Sequence, residues 1–312
     1  MKIGFIGVGN MGGPMCRNLL KTGDHEVRVF DLDAEAVRRC TARGATAGAS
    51  PAAVAAGAEV VMTSLPHPRD VEAVVLGADG IAGHLGPGAL YCDLSTNSPL
   101  TVRRLAAALG ERGVAMLDAP VSGGVVAAEK ASLAVMVGGG RAAFERLLPV
   151  LQCLGENVVH CGDTGTGCVA KLCNNLIAFG NMAASAEGLM LGVAAGIDLD
   201  TLNQVIRNSS GNSMTFRATA KNARSGDWTP SFALDLAYKD LHLALELADE
   251  LGIPLPLGSS VHNLMRMARG LGYGQSDATA ILRVYEDTLR RPLNAPGIAP
   301  GITPGEDAPQ TG

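Results

Sequence analysis

Aromatic side chains are scarce in this sequence: Phe, Tyr and Trp make up 4% of its 312 residues, with a single Trp. The core must therefore be packed from Ala, Val, Leu and Gly, and an apolar fraction of 47% is ample for that. Positive charge is not in excess either. The formal net charge is −5 and no basic stripe is present, which argues against a nucleic-acid partner. Cysteine occurs seven times, at 16, 40, 92, 153, 161, 168 and 173, without a CxxC pair or framework spacing. Such an odd, scattered set reads as reduced thiols of a cytoplasmic protein. No group of His, Asp and Cys has metal-ligand spacing, so metal-free chemistry is expected. No run of 18 apolar residues lacks a polar break, so no membrane span is expected. The opening residues pass straight from Met1 into an apolar strand, so no leader peptide is expected.

A chain of this length suggests two domains. Its first half alternates short apolar runs (2–6, 27–30, 59–64, 89–93, 114–118, 133–137 and 157–160) with helical patterns at 11–21, 34–43, 71–76, 100–111 and 142–154. Apolar strands separated by helices predict a mostly parallel, doubly wound α/β sheet of the Rossmann type. After residue 160 the strand-like runs stop. Helical patterns follow at 165–195, 199–208, 233–251, 257–269 and 277–290, which predicts an all-helical domain entered through one long helix. The expected boundaries are 1–162 for the sheet domain, 163–291 for the helical one and 292–312 for a Pro/Gly-rich disordered tail. A small helical domain with so much Ala and Gly surface is expected to complete its core against another subunit, as a homodimer or homotetramer.

Four constellations carry chemistry. The first is GVGNMG, residues 7–12, placed between a strand and a helix. Gly7 permits a tight turn, Gly9 lets the backbone approach a pyrophosphate, and Gly12 allows close helix–strand packing. The helix that starts beside Asn10 and Met11 points its positive end at the phosphates. Asp31 ends the second strand 19 residues after Gly12, where a carboxylate would hold a free ribose 2′-OH and repel a 2′-phosphate. Leu32 and Asp33 follow it rather than arginines, so NAD is expected over NADP.

The second is the pair of strand ends Ser64-Leu65-Pro66 and Asp93-Leu94-Ser95-Thr96, where doubly wound sheets bind ligands. Ordinary turn chemistry explains each of them equally well. The third is Ser122-Gly123-Gly124, whose hydroxyl and backbone N–H groups suit a carboxylate. A plain glycine loop would read the same way. The fourth is the helix around Lys171, Asn174 and Asn175, which at i, i+3 and i+4 share a face of a helix otherwise small and apolar and expected to be buried on most sides. Inside such a helix these three need partners; on a surface turn they would be an exposed lysine with capping asparagines. If a proton must move at neutral pH, Lys171 with a pKa lowered by burial is one candidate, and His160 at a strand end is another.

Taken together and in order, GVGNMG, SLP, DLST, DAPVSGG, GTGCVAKLCNN and AYKDL resemble the β-hydroxyacid dehydrogenase family over residues 1–290. The resemblance implies a metal-free oxidoreductase moving hydride between NAD and a small β-hydroxyacid or its semialdehyde, such as 3-hydroxyisobutyrate or tartronate semialdehyde. It further implies that Lys171 is the acid/base, that Asn175 and Asn174 help hold substrate, and that Ser122, Gly123 and Gly124 take its carboxylate. Leu65, Pro66, Thr96 and Lys239 match positions lining the nicotinamide cofactor. Two departures stand out. Ala131 occupies a position where the family usually has Gly, and Met214 lies where many members carry a Trp in the loop 209–214, which is expected to border the substrate. Other classes with a similar first half are a non-catalytic dinucleotide-binding scaffold, an imine reductase with another residue at 171, and a 6-phosphogluconate-type enzyme. The last would need a longer helical part and a basic phosphate site.

Overall fold

The computed structural model describes residues 1–294, which form two compact units, Met1–Asn174 and a helical unit from Asn175 onward. In the first, nine strands make one sheet: β1 Lys2–Ile6, β2 Glu26–Phe30, β3 Thr46–Ala47, β4 Val60–Thr63, β5 Leu90–Asp93, β6 Ala115–Asp118, β7 Val121–Ser122, β8 Ala134–Gly139 and β9 Asn157–Gly162. Their order is β3-β2-β1-β4-β5-β6-β8-β7, with β9 pairing β8. The first six are parallel, in the order that puts the loop after β1 beside the end of β4. The sheet then turns: β8 runs antiparallel to β6 through Leu117↔Gly139 and Asp118↔Gly138, and the short β7 lies antiparallel along β8.

Strands such as β4 and β5 are buried at every position, as parallel strands covered on both faces should be. Two apolar clusters line the sheet, one around Phe5, Met15 and Leu19, the other around Val61, Tyr91 and Leu105. Several short elements escape the sequence patterns: β3, β7 and the helix Pro51–Ala55, none longer than five residues. Elements so short bury too few side chains to show a period.

The long helix runs Thr166–Ala194. By length and composition it could cross a bilayer, a test that the core helix of a soluble protein also passes; Lys171 and Asn175 interrupt its apolar run. The expected burial on most sides is corrected. Leu172, Phe179, Met182, Ala186 and Leu189 are buried, while Ile177, Asn181, Ala184, Gly188 and Leu191 form an exposed stripe at alternating four- and three-residue spacing. The sheet ends at Gly162, near the expected boundary, whereas the compact units divide at Asn174/Asn175, inside this helix. The second unit continues with helices Leu199–Arg207, Met214–Ser225, Leu234–Leu251, Pro256–Gly270 and a final 3₁₀–α segment from Ala278 to Leu289. The helix Met214–Ser225 was not visible in the sequence. Its core-facing residues are Phe216, Thr219, Ala220 and Ala223, mostly small, so its 3.6-residue period is faint. The expected tail begins too early at 292: Leu293 is buried and its N–H donates to Glu286 Oε1 at 2.7 Å. The rest of that tail, 295–312, lies outside the described residues.

Ala131 explains its own departure from the family pattern. It follows the helix Gly124–Glu129 with φ of 54°. Ser132 N–H reaches back to Ala127 O at 2.9 Å and Ala131 N–H to Ala128 O at 3.4 Å, the paired bonds of a Schellman ending. Its second-last position wants the left-handed region, which costs an L-residue about 1–2 kcal/mol and glycine almost nothing. Ala131→Gly should therefore raise unfolding stability by about 0.5–1 kcal/mol after the added chain entropy is charged. Urea denaturation checks this, and a lowered midpoint would contradict it.

Candidate active site

The first constellation lies in the loop between β1 and the helix Gly12–Lys21. Gly7 sits at φ of 85°, and a Cβ there would come 2.3 Å from Ser64 O. A Cβ on Gly12 would lie 1.8 Å from Gly7 O, so this glycine is what lets the helix start against the turn. Gly9 differs from both: a Cβ there would meet nothing within 4 Å. No side chain caps the first turn of the helix at Met11. Asp31, half-buried at the end of β2, accepts Val8 N–H at 2.7 Å and Asp33 N–H at 2.8 Å. Open space at Gly9, uncapped N–H groups and a carboxylate held at the neighbouring strand end fit a dinucleotide. Asp31 also ties the loop to its strand, a role its position in the sequence did not reveal.

The strand ends of β4 and β5 are joined by hydrogen bonds. Leu65 N–H donates to Ser95 Oγ at 2.9 Å. Asp93 is fully buried and accepts from Thr63 Oγ1 at 2.9 Å, Ser95 N at 3.0 Å and Asn97 Nδ2 at 3.0 Å. Tyr91 OH lies 2.7 Å from Thr63 Oγ1; since Thr63 donates to Asp93, Tyr91 must donate to Thr63. Burial pushes the Asp93 carboxyl up, and these donors pull it back. The two motifs thus form one rigid corner carrying Leu65, Pro66 and Thr96. In the third constellation, Ser122 pairs with Ala134 on β8, and Gly123 and Gly124 follow at φ of 133° and 71°. Both glycines are exposed and open the helix Gly124–Glu129.

Lys171 is 9% exposed and Asn175, one turn further on the same helix, 5%. Asn174 falls on the exposed side. On a helix, residue 175 lies about 40° to one side of 171 and residue 174 about 60° to the other, so the three were never equivalent. Asn175 Nδ2 donates to Asp240 Oδ2 at 2.8 Å, and a carboxylate can only accept, which fixes which way the amide faces. Asp240 is itself 2% exposed, and Lys239 Nζ stands 2.9 Å from its Oδ1, an ion contact without hydrogen-bond alignment. Asp240 belongs to the AYKDL motif, where nothing local announces its bond to Asn175. His160, the other proton-moving candidate, is spent differently: its Nε2 lies 2.7 Å from Gly139 O and its ring packs on Phe144 at 4.8 Å.

From the loop 209–214, Asn212 lines a shallow cavity of about 440 Å³, together with Asn203, Gln204, Arg207, Asn208 and Arg217 from its flanks. Met214 is 78% exposed. None of the candidate catalytic or cofactor residues lines this cavity, and amides and guanidinium groups cannot serve as a base at neutral pH. No cluster of metal-ligating side chains occurs among the described residues.

Known proteins resemble this chain over most of its length. Residues 2–162 match the family model of the NAD binding domain of 6-phosphogluconate dehydrogenase, and residues 165–285 that described as NAD-binding of NADP-dependent 3-hydroxyisobutyrate dehydrogenase. The chain is 41% identical to 2-(hydroxymethyl)glutarate dehydrogenase of Eubacterium barkeri over 92% of its own length and 95% of that protein's. It is 39% identical to NAD-dependent L-serine dehydrogenase of Pseudomonas aeruginosa, over 92% and 98%. A crystal structure of 3-hydroxyisobutyrate dehydrogenase from Salmonella typhimurium superposes with a TM-score of 0.84 at 36% identity, covering 91% of this chain and 99% of that one.

Proposed function

The chain belongs to the β-hydroxyacid dehydrogenase family, and on that premise we propose that it oxidises a small carboxylate bearing a hydroxymethyl group on its α-carbon, using NAD. It is an oxidoreductase with a nicotinamide dinucleotide cofactor. The alcohols named for its relatives, 2-(hydroxymethyl)glutarate, L-serine and 3-hydroxyisobutyrate, share that hydroxymethyl–carboxylate unit and differ only in the third substituent. The observation that carries the reading is a lysine shut almost fully from solvent, one helical turn from an asparagine whose amide is fixed by a buried carboxylate.

When bound, the nicotinamide supplies the acceptor or donor of hydride. The loop 7–12 and Asp31 would hold the dinucleotide, and Leu65, Pro66, Thr96 and, in the helical unit, Lys239 are proposed as further cofactor contacts. Ser122 Oγ and the N–H groups of Gly123 and Gly124 grip the substrate carboxylate. Lys171 takes the hydroxyl proton during oxidation and returns it during reduction, and Asn175, held by Asp240, orients the reacting oxygen. A lysine in this role must shed its proton near operating pH, and burial is the general means by which an ammonium form is disfavoured. All seven thiols are free, which supports a reducing, cytoplasmic setting, and the exposed stripe on the long helix supports a homo-oligomer.

The test is a panel of 3-hydroxyisobutyrate, serine, glycerate and 2-(hydroxymethyl)glutarate with NAD and NADP. NADH formation is expected with at least one acid and not with 2-methylpropanol, which lacks the carboxylate. NAD is expected to give the higher kcat/KM, because the Asp31 carboxylate repels a 2′-phosphate. Equal rates on the carboxylate-free alcohol, or a preference for NADP, would contradict the assigned roles of Ser122 or Asp31 respectively.

A further inference from the structure

Asp118 ends β6, is fully buried, and commits its whole carboxylate to the start of the long helix. Oδ1 accepts the N–H of Gly165 at 2.7 Å, and Oδ2 accepts that of Cys168 at 2.8 Å. Two bonds three residues apart fix the helix both along its axis and about it. The backbone around them leaves no slack. A Cβ on Gly138 would lie 2.5 Å from Asp118 Oδ1, and one on Gly167 would lie 2.3 Å from Met136 O and 2.6 Å from Asp118 O. Lys171 follows Cys168 by three residues, about 4.5 Å along the axis, and a rotation by one residue would swing it by about 100°.

A fold needs no buried charge for such a cap. Elsewhere in this chain the hydroxyls of Ser50 and Ser213 cap helices. At position 118 the ionised form is held at a cost, since burial pushes the carboxyl up against the pull of its N–H donors. What a carboxylate adds is charge. The first turn of a helix carries about half a positive charge, which disfavours an ammonium nearby; a carboxylate there cancels it. We propose that Asp118 is the positioning residue for Lys171, setting where the lysine stands and, through its charge, at what pH the lysine yields its proton. This rests on the assignment of Lys171 as the acid/base.

The other titratable groups around Asp118 are Cys92 and Asp93 on β5, Cys161 on β9 and Cys168 on the helix. Burial pushes all three thiols up, so they are neutral, and Asp93 is held by its own strand-end donors. In the second unit, Asn175 is bonded to Asp240, and Lys239 contacts that same carboxylate. The Asp118 charge adds to the rise of the three thiols, so removing it lowers them, but burial is the larger cause and keeps them neutral.

Asp118→Asn and Asp118→Ser remove the charge, whereas Asp118→Glu keeps it with a side chain too long for the seat. Oxidation needs neutral Lys171, so kcat/KM rises with pH through the lysine pKa. Asp118 holds the N–H of Cys168, one helical turn before Lys171, and a unit charge lost on the order of 10 Å from a lysine, at an effective dielectric of about 20, lowers its pKa by about one unit. The acid limb should move down by about one pH unit in the Asn and Ser variants and stay at the wild-type pH in the Glu variant. In all three kcat should fall about tenfold or more, with the dinucleotide Kd within about twofold of wild type. A limb that stays put in Asn and Ser, or moves equally in Glu, overturns the proposal. So does failure of all three to fold, which would make Asp118 an anchor of the fold alone. Lys171→Met, assayed alongside, tests the underlying assignment separately: normal turnover there removes the lysine from the reaction whatever the variants at 118 do.

Discussion

Gly9→Val should abolish dinucleotide binding, raising Kd by more than about 100-fold, while leaving the unfolding midpoint where it is. The space beside Gly9 is empty of protein, so a side chain placed there displaces nothing belonging to the chain. It fills instead the volume through which the backbone would approach a pyrophosphate. A factor of 100 corresponds to about 2.7 kcal/mol, the scale of a few lost charge-assisted hydrogen bonds. Gly12→Ala is the counterpart with a different signature. Its Cβ would meet Gly7 O at 1.8 Å and the Phe5 ring at 3.1 Å, so helix and loop must part. Overpacking of that kind costs about 1–3 kcal/mol, and both stability and binding should fall. Calorimetric titration with NAD and a thermal melt on each variant separate the two. Normal binding by Gly9→Val would show that the dinucleotide does not cross this loop.

Lys171→Met should reduce kcat by about 10²–10⁴-fold with the dinucleotide Kd unchanged, since positioned acid/base groups contribute on that order and the proposed dinucleotide contacts are other residues. Methionine keeps the length and much of the shape of lysine, so the loss would report the proton-carrying group rather than a cavity. Lys171→Arg should be nearly as impaired, because a guanidinium stays protonated and cannot act as a base. His160 is committed elsewhere, packed on Phe144 with tilted rings and bonded to the Gly139 carbonyl. Turnover within a few-fold of wild type in Lys171→Met would reopen its case.

The parts legible in the sequence were those that leave a local mark. Alternating apolar runs gave β1, β2, β4, β5, β6, β8 and β9 and the longer helices between them to within a few residues, and GVGNMG with Asp31 gave the dinucleotide loop. The long helix was legible from 30 residues free of proline, and Lys171 and Asn175 from their spacing on it. What stayed hidden depends on residues far apart in the chain. Asp118 meets Gly165 and Cys168 across 47 and 50 positions, and Asn175 meets Asp240 across 65, contacts that no periodicity announces. The exposure of Asn174 and of the Ile177–Leu191 stripe was equally out of reach, because an apolar helix reads the same whether its neighbours cover three sides or two. Ala131 shows the reverse case: its departure was visible in the sequence, and only the backbone, at positive φ, gave the reason.

The measurement that bears most directly on the proposed chemistry is single-turnover oxidation of a β-hydroxyacid by the dinucleotide-saturated protein, followed by the absorbance of NADH across pH, for wild type and Lys171→Met. Wild type should show a rate that rises with pH through one ionisation and then levels. Lys171→Met should be slow, with that ionisation gone. The same ionisation, at the same pH and with comparable rates in both proteins, would show that the proton is carried by another group.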